Sequence, residues 1–266
     1  VNLTCISHVW NEQDLIGFWL AHHVPIFDRI IIIDHGSTDL TIPIVNLLAP
    51  NAIIVNSKLT DFNAHLNDQE VMEVERKYYE PPQATFVLNT TEFIWAKDLR
   101  QKVNKHLSTP DTAIGVGSII MVDSPDSMYP HGFVDEYPGI RRKRYFHNSA
   151  CGEYGLGRHA CFLPRVFDVD DIYIKYMAFS PWPLVAKRKL AIQQRIPQSD
   201  KDMGAGKEHI LTPESLEARY REYLDKSYRL IDRDEYSTNI PTHLEWMEEQ
   251  KLRGVLQRFL SENGLL

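Results

Sequence analysis

Through the first third of the chain, short apolar runs alternate with longer segments whose apolar positions recur at helical spacing. NLTCIS (2–7) fits a buried strand, and in NEQDLIGFWLAHH the residues Leu15, Phe18, Trp19 and His22 fall on one helix face. RIIIID is a second strand, β-branched on both faces as interior parallel strands are. STDLTIPIVNLLAP opens on capping-type residues and closes at Pro50, which predicts a short helix. AIIVN (52–56), a polar helix over 64–80 ended by Pro81-Pro82, and ATFVLN (84–89) continue the alternation.

Strand and helix in this order predict an α/β fold: a mostly parallel, Rossmann-type sheet flanked by helices. Residues 113–122 and 142–148 read as later strands, partly antiparallel. Near the C-terminus, Thr212 is a candidate N-cap with Pro213 at the first helical position. Further on, Leu252, Val255, Leu256, Phe259 and Leu260 form one apolar stripe. The expected division is a sheet domain over 1–195 and a helical extension over 196–266 packed on it. The polar stretch 197–209, with two glycines, is expected to be flexible, as a lid or a linker.

Composition narrows the function classes. Net charge is -7, which gives no bulk attraction to nucleic acid or an anionic membrane. The basic run RRKR (141–144) is a solvated face or, beside a diphosphate, a useful one. No apolar stretch approaches the roughly 18 residues of a membrane span. The three cysteines Cys5, Cys151 and Cys161 contain no CxxC pair and read as reduced and mostly buried, so a cytoplasmic location is expected. The chain starts almost within a strand, compatible with a domain cut from a longer protein.

In a parallel α/β sheet, ligands gather beyond the carboxyl ends of the strands. Those ends carry residues 7–12, 34–39, 56–61 and 89–92. In DHGSTD, Asp34 ends a strand, Gly36 permits a tight turn, and Ser37, Thr38 and Asp39 can cap the next helix. Neither a GxGxxG nor a GxxxxGK[ST] loop is present.

WNEQDLIGFWLAHH, IIIIDHGSTDLT and FVLNTTEFIW, in that order, resemble the family-2-like glycosyltransferases of the GT-A fold, whose members read NE…WL..H, D.GS.D and D.DEF. GRHACF resembles that family's glycine-x-histidine strand, and YIKYMAFSPWPLVAK its HY..(K/R)S…K segment, so the likeness runs from residue 2 to about 190. It implies transfer of a hexose from a UDP- or GDP-linked donor to a glycan acceptor. Glu12 and Asp34 match residues that hold the base and ribose, whose N–H and O–H donors suit carboxylates. Asp39 matches a second acid in that loop, read here as capping the helix or shaping the loop, and Gly36, Ser37, Asn89 and Thr91 are counted with it among the donor-binding residues.

The family's metal-binding D-x-D falls on Asn89-Thr90-Thr91, and its HY histidine falls on Lys175. Mg or Mn prefers anionic oxygen ligands, so loss of both acids weakens the case for a metal. Three outcomes follow: transfer without metal, with cations such as Lys143, Arg144, Lys175 or Lys187 taking the diphosphate charge; metal held by Glu92 and His159 alone; or loss of transfer. The first is preferred, because an ammonium can stabilise a leaving phosphate.

Deprotonation of an acceptor hydroxyl calls for a carboxylate. Asp123, then Glu136, in the polar segment VDSPDSMYPHGFVDEY are the candidates. Trp95 and Tyr129 can offer faces to a sugar. The alternative of another class is an inactive module that binds nucleotide or glycan within a longer protein. A Rossmann methyltransferase is disfavoured by the missing glycine-rich loop.

Overall fold

The computed structural model describes residues 1–122, 131–134, 143–182, 184–204, 210–227, 258, 261, 262 and 264. The first half alternates as β1 (Asn2–Val9), α1 (Ile16–His23), β2 (Arg29–Asp34), α2 (Thr41–Leu48), β3 (Ile53–Asn56), α3 (Ala64–Tyr78) and β4 (Gln83–Val87). Then follow β5 (Glu92–Trp95), α4 (Leu99–His106), β6 (Thr112–Val122), β7 (His131–Val134), β8 (Lys143–His147) and β9 (Arg165–Phe179). Helices α5 (Leu184–Gln193), α6 (Gln198–Asp202) and α7 (Pro213–Lys226) complete the described elements.

The strands form one sheet in the order β3-β2-β1-β4-β8-β6-β9-β5, with β7 beside β6. β3, β2, β1 and β4 are mutually parallel, the Rossmann-type half expected from the alternation. Beyond them β8 runs antiparallel to β4 and β6, while β6 and β9 are parallel. The four isoleucines of β2 explain themselves here. Ile30 and Ile32 join the core under α1 and α2, and Ile31 and Ile33 join the core under α3.

Strand β5 lies at the end of the sheet, and α1 covers its outer edge with side chains. Trp19 Nε1 donates to the Glu92 carbonyl at 3.1 Å, and His22 Nε2 donates to the Ile94 carbonyl at 2.8 Å. His23 Nδ1 donates to the Trp19 carbonyl at 2.8 Å, which leaves Nε2 to accept from the Ile94 amide at 3.4 Å. Burial holds His23 well below the usual histidine range, so it stays neutral in that role. Side chains thus do the work of a missing neighbour strand and close the edge to foreign pairing.

The structure adds to and corrects several expectations. Helix α1 starts at Ile16 and α2 at Thr41, because the residues before them are committed to loop contacts described below. His159 is not on a strand: it follows a 3-10 turn, Leu156–Arg158, set by left-handed Gly157 and Arg158. β9, the longest strand, was not anticipated, since its first half is exposed and carries Asp168, Asp170 and Asp171. Within 197–209, residues 198–202 are helical, and buried Asp200 accepts from the Ala64 amide at 2.7 Å and Asn63 Nδ2 at 2.9 Å, capping α3. The expected apolar stripe 252–260 lies outside the described residues apart from Arg258. Thr212 does cap α7, accepting from the Ser215 amide.

Fully buried Trp19 joins the core to the β5 edge. Trp19→Ala is expected to cost about 3–5 kcal/mol by leaving a cavity. Trp19→Phe, which mainly strands the Glu92 carbonyl, should cost about 1–3 kcal/mol. Urea melts of the two variants check the order and size of these losses.

Candidate functional site

The carboxyl ends of β1, β2 and β4 meet along one edge. The two loops after β1 and β2 are laced together by side-chain-to-backbone bonds. Ser37 Oγ accepts from the Asn11 amide, Asn11 Oδ1 from the Thr38 amide, and Thr41 Oγ1 from the Glu12 amide at 2.6 Å. Asp39 accepts from the Thr41 amide through Oδ1 and from the Gln13 amide through Oδ2, a loop-shaping role. Gly36 turns the chain at φ +75°, a left-handed conformation that favours glycine. Asp34 Oδ1 accepts from the Ser37 amide at 3.0 Å, and Oδ2 has no partner among the described residues.

Glu12 is buried, and Arg188 of α5 clamps it: Nε lies 2.7 Å from both carboxylate oxygens and Nη2 is 2.5 Å from Oε1. Burial disfavours the Arg188 charge, but Glu12 more than restores it and holds the guanidinium above its usual range. Arg188 Nη2 also reaches Thr90 Oγ1 at 3.4 Å.

The turn after β4 is built on Glu92. Its Oε2 accepts from the Asn89 amide at 2.9 Å, and its Oε1 accepts from Arg144 Nε at 2.9 Å and Nη2 at 2.7 Å. Burial alone would push this carboxyl up; Arg144 overcomes that and holds it below the usual range. Arg144 Nη1 goes on to the Gly157 carbonyl at 2.5 Å.

Gly157 and Arg158 sit on a tongue fixed by buried Glu75, which accepts from His147 Nε2, the Gly152 amide and the Tyr154 hydroxyl. Asp68 of α3 takes the Gly157 amide and Arg158 Nη1, each at 2.6 Å. Arg158 Nη2 then donates to Asn89 Oδ1 at 3.1 Å. Three arginines from three separate segments therefore address residues 89–92.

The expected site residues divide accordingly. Glu12, Asp34, Gly36, Ser37, Asp39, Asn89, Thr91 and Glu92 line the strand ends. Lys143 is paired with Asp168, and exposed Lys187 with Asp14 at 3.4 Å. Lys175 is fully buried, with its ammonium 3.7 Å from the centre of the Trp95 ring. Its strand neighbour Tyr176 points the other way. Asp123, Tyr129 and Glu136 lie outside the described residues.

Sequence reasoning missed Arg158 and Arg188. The only signal for either was the basic cluster of α5 and the glycine before Arg158. It also missed a polar cluster under β1 and β2. His8 Nε2 is 3.4 Å from Glu70 Oε2, and its ring lies 4.9 Å from that of His35. Neither ring nitrogen of buried His35 has a partner among the described residues. Above them Arg195 stacks on Trp10 and Phe62 at 4.5 and 4.8 Å.

A divalent cation does not fit the donor set at 89–92. Asn89, Thr90 and Thr91 offer neutral oxygens, and both Glu92 oxygens are committed, one of them to a guanidinium. His159 Nδ1 lies 3.2 Å from the Lys143 carbonyl, to which it donates. Burial, then the Arg144 charge, lowers its pKa. Among the described residues no three His, Cys, Asp or Glu side chains gather to hold a metal. No described helix is long and apolar enough to cross a membrane, and all three cysteines are free thiols.

No family model matches this chain, and no curated protein does. Among solved structures it is similar to glucosyl-3-phosphoglycerate synthase from Mycobacterium tuberculosis, with 14% identity over 45% of this chain and 44% of that one and a TM-score of 0.32. S. aureus TarS shares 13% identity over 85% of this chain and 43% of that one, with a TM-score of 0.41. TarS 1–349 in complex with UDP gives 11% over 91% and 76%, with a TM-score of 0.39. The chain thus spans less than half the length of the first two. Likenesses this distant carry no residue or activity across.

The cluster under the strand ends sets an acid response. Burial, then the neighbouring His8, pushes the His35 pKa down to about 4, below its ordinary value of 6.5. The unfolded chain therefore takes up this proton first, and stability falls as pH drops from 6.5 toward 4. Burial would raise Glu70, but the nearby His8 and bonds from Ser57 and the Lys58 amide lower it to about 2, so its contribution is lost only below about 4.5. His35→Leu is expected to keep stability at pH 7 and to flatten the decline between pH 6.5 and 4. Urea midpoints across that range check it.

Proposed function

We propose that this chain is a glycosyltransferase that moves a hexose from a UDP- or GDP-linked donor to a glycan acceptor without needing a divalent cation. The observation that carries the reading is the meeting of Glu12, Asp34 and the 89–92 turn on one edge, in the motif order of the family the sequence resembles. Asp34 Oδ2, the open acceptor over the Gly36 turn, takes a ribose hydroxyl or base N–H. Glu12, oriented by Arg188, lies beside it with lone pairs to spare.

In the reaction the acceptor oxygen bonds to the anomeric carbon as the bond from that carbon to the diphosphate oxygen breaks. The hydroxyl proton passes to a carboxylate, Asp123 before Glu136, and the electron pair leaves with the nucleoside diphosphate. Residues 1–195 supply the donor site and catalytic groups, and 196–266 a helical extension.

Replacement of the D-x-D acids also favours a second reading, an inactive module that keeps the nucleotide site within a longer protein. Calorimetric titration of UDP and GDP, each with EDTA and then with Mn, addresses both. Binding that survives EDTA and weakens at least about 10-fold in Asp34→Ala is expected, a loss near 1.4 kcal/mol. Binding that appears only with Mn would sink metal independence. Donor hydrolysis or transfer lost in Asp123→Asn, with UDP affinity kept, separates the enzyme from the inactive module, which shows binding but no turnover.

A further inference from the structure

We propose that the diphosphate of the donor is held by an arginine cradle at the 89–92 turn, with Arg158 and Arg188 donating to its oxygens where related sites would use a metal ion. This rests on the donor-nucleotide reading above, but its chemistry can be tested apart from it.

Each guanidinium is gripped along part of its rim. Arg188 Nε and Nη2 face Glu12 and Thr90, and Nη1 has no partner among the described residues. Arg158 Nη1 and Nη2 face Asp68 and Asn89, and its enclosed Nε has no partner among the described residues. An arginine carries five N–H donors in a planar fork, so one held on one side by a carboxylate can still present the rest to an anion. Arg158 is 92% buried by the measure of its 8% exposure, and its backbone is left-handed at φ +57°. A buried cation with an unsatisfied N–H on sterically disfavoured backbone is unusual, and such features gather at ligand sites.

The neutral turn and the arginines complement one another. Glu12, Asp68 and Glu92 balance Arg188, Arg158 and Arg144, so the cluster as it stands is neutral. Acids at 89 and 91 would make it negative and would add a second ion pair to Arg158, which Asp68 already meets. With Asn89 the turn meets Arg158 Nη2 through a neutral acceptor, so Asp68 is the one carboxylate on that guanidinium among the described residues and its remaining donors are not drawn to a second acid. The predicted lysines do not supply this, because Lys143 and Lys187 are paired outward and Lys175 lies under Trp95.

Asn89→Asp, nearly isosteric on a partly exposed turn, is the decisive variant, with Arg158→Lys beside it to keep charge while removing the fork. Calorimetry in EDTA would measure inorganic pyrophosphate, uridine and UDP against each. The cradle predicts that wild type binds pyrophosphate, and binds UDP at least about 10-fold tighter than uridine. It predicts that Asn89→Asp and Arg158→Lys each weaken pyrophosphate and UDP about 10-fold or more while uridine is unchanged. UDP no tighter than uridine, or pyrophosphate affinity unmoved by both variants, overturns the cradle and leaves the nucleotide reading standing. Arg158-dependent pyrophosphate binding without any uridine or UDP binding does the reverse. Tighter Mn-dependent UDP binding in Asn89→Asp, with no loss in EDTA, marks a metal-type site and also overturns the cradle.

Discussion

Three of the carboxylates buried at the carboxyl edge of the sheet are tolerable because a guanidinium meets each. Glu12, Glu92 and Asp68 are all nearly inaccessible. Stranding one such charge typically costs about 3–5 kcal/mol, so each pair constrains both of its parents. Arg188 ties α5 to the loop after β1, Arg144 ties β8 to the turn after β4, and Arg158 ties the 152–162 tongue to α3. These segments are far apart in sequence. Their relative placement is therefore set by charge compensation as well as by the apolar core, and the site is a consequence of that compensation.

Two lesser devices keep the edge in register. The lacing of residues 11–13 with 37–41 spends side-chain acceptors on loop amides that would otherwise lack partners. At the other end, Trp19, His22 and His23 replace a neighbouring strand beside β5. The Glu92 carbonyl is bonded by Trp19 while the Glu92 side chain is bonded by Arg144. One residue thus joins the sealed edge to the charged turn, so a change in α1 packing is felt at the site without contact to any ligand.

The parallel half of the fold was legible because strands buried on both faces leave unbroken apolar runs, RIIIID above all. The loop chemistry was legible too, since DHGSTD has few uses other than a tight polar turn. What escaped the sequence depends on distance. β5 and the first half of β9 lack a strong period, the one being short and the other exposed. Arg158 and Arg188 look like ordinary basic residues until the tongue and α5 fold over residues 89–92. His35 reads as part of a loop and is in fact buried, because His8, Phe62 and Arg195, distant in sequence, pack around it.

Arginine, not lysine, suits this arrangement for a geometric reason. A lysine held by Glu12 or Asp68 would spend its single point of charge on that carboxylate, whereas a planar fork can face a carboxylate on one side and an anion on the other. The carboxylates then act as posts that fix the forks and prevent them from relaxing toward solvent. A divalent ion solves the same problem differently, by concentrating positive charge at one point between acidic ligands. The two solutions exclude each other at one turn, because acids that attract a cation would also capture the arginines. Asn89, Thr90 and Thr91 therefore belong with Arg158 and Arg188 as one set: neutral residues where neutral residues keep neighbouring guanidinium groups available.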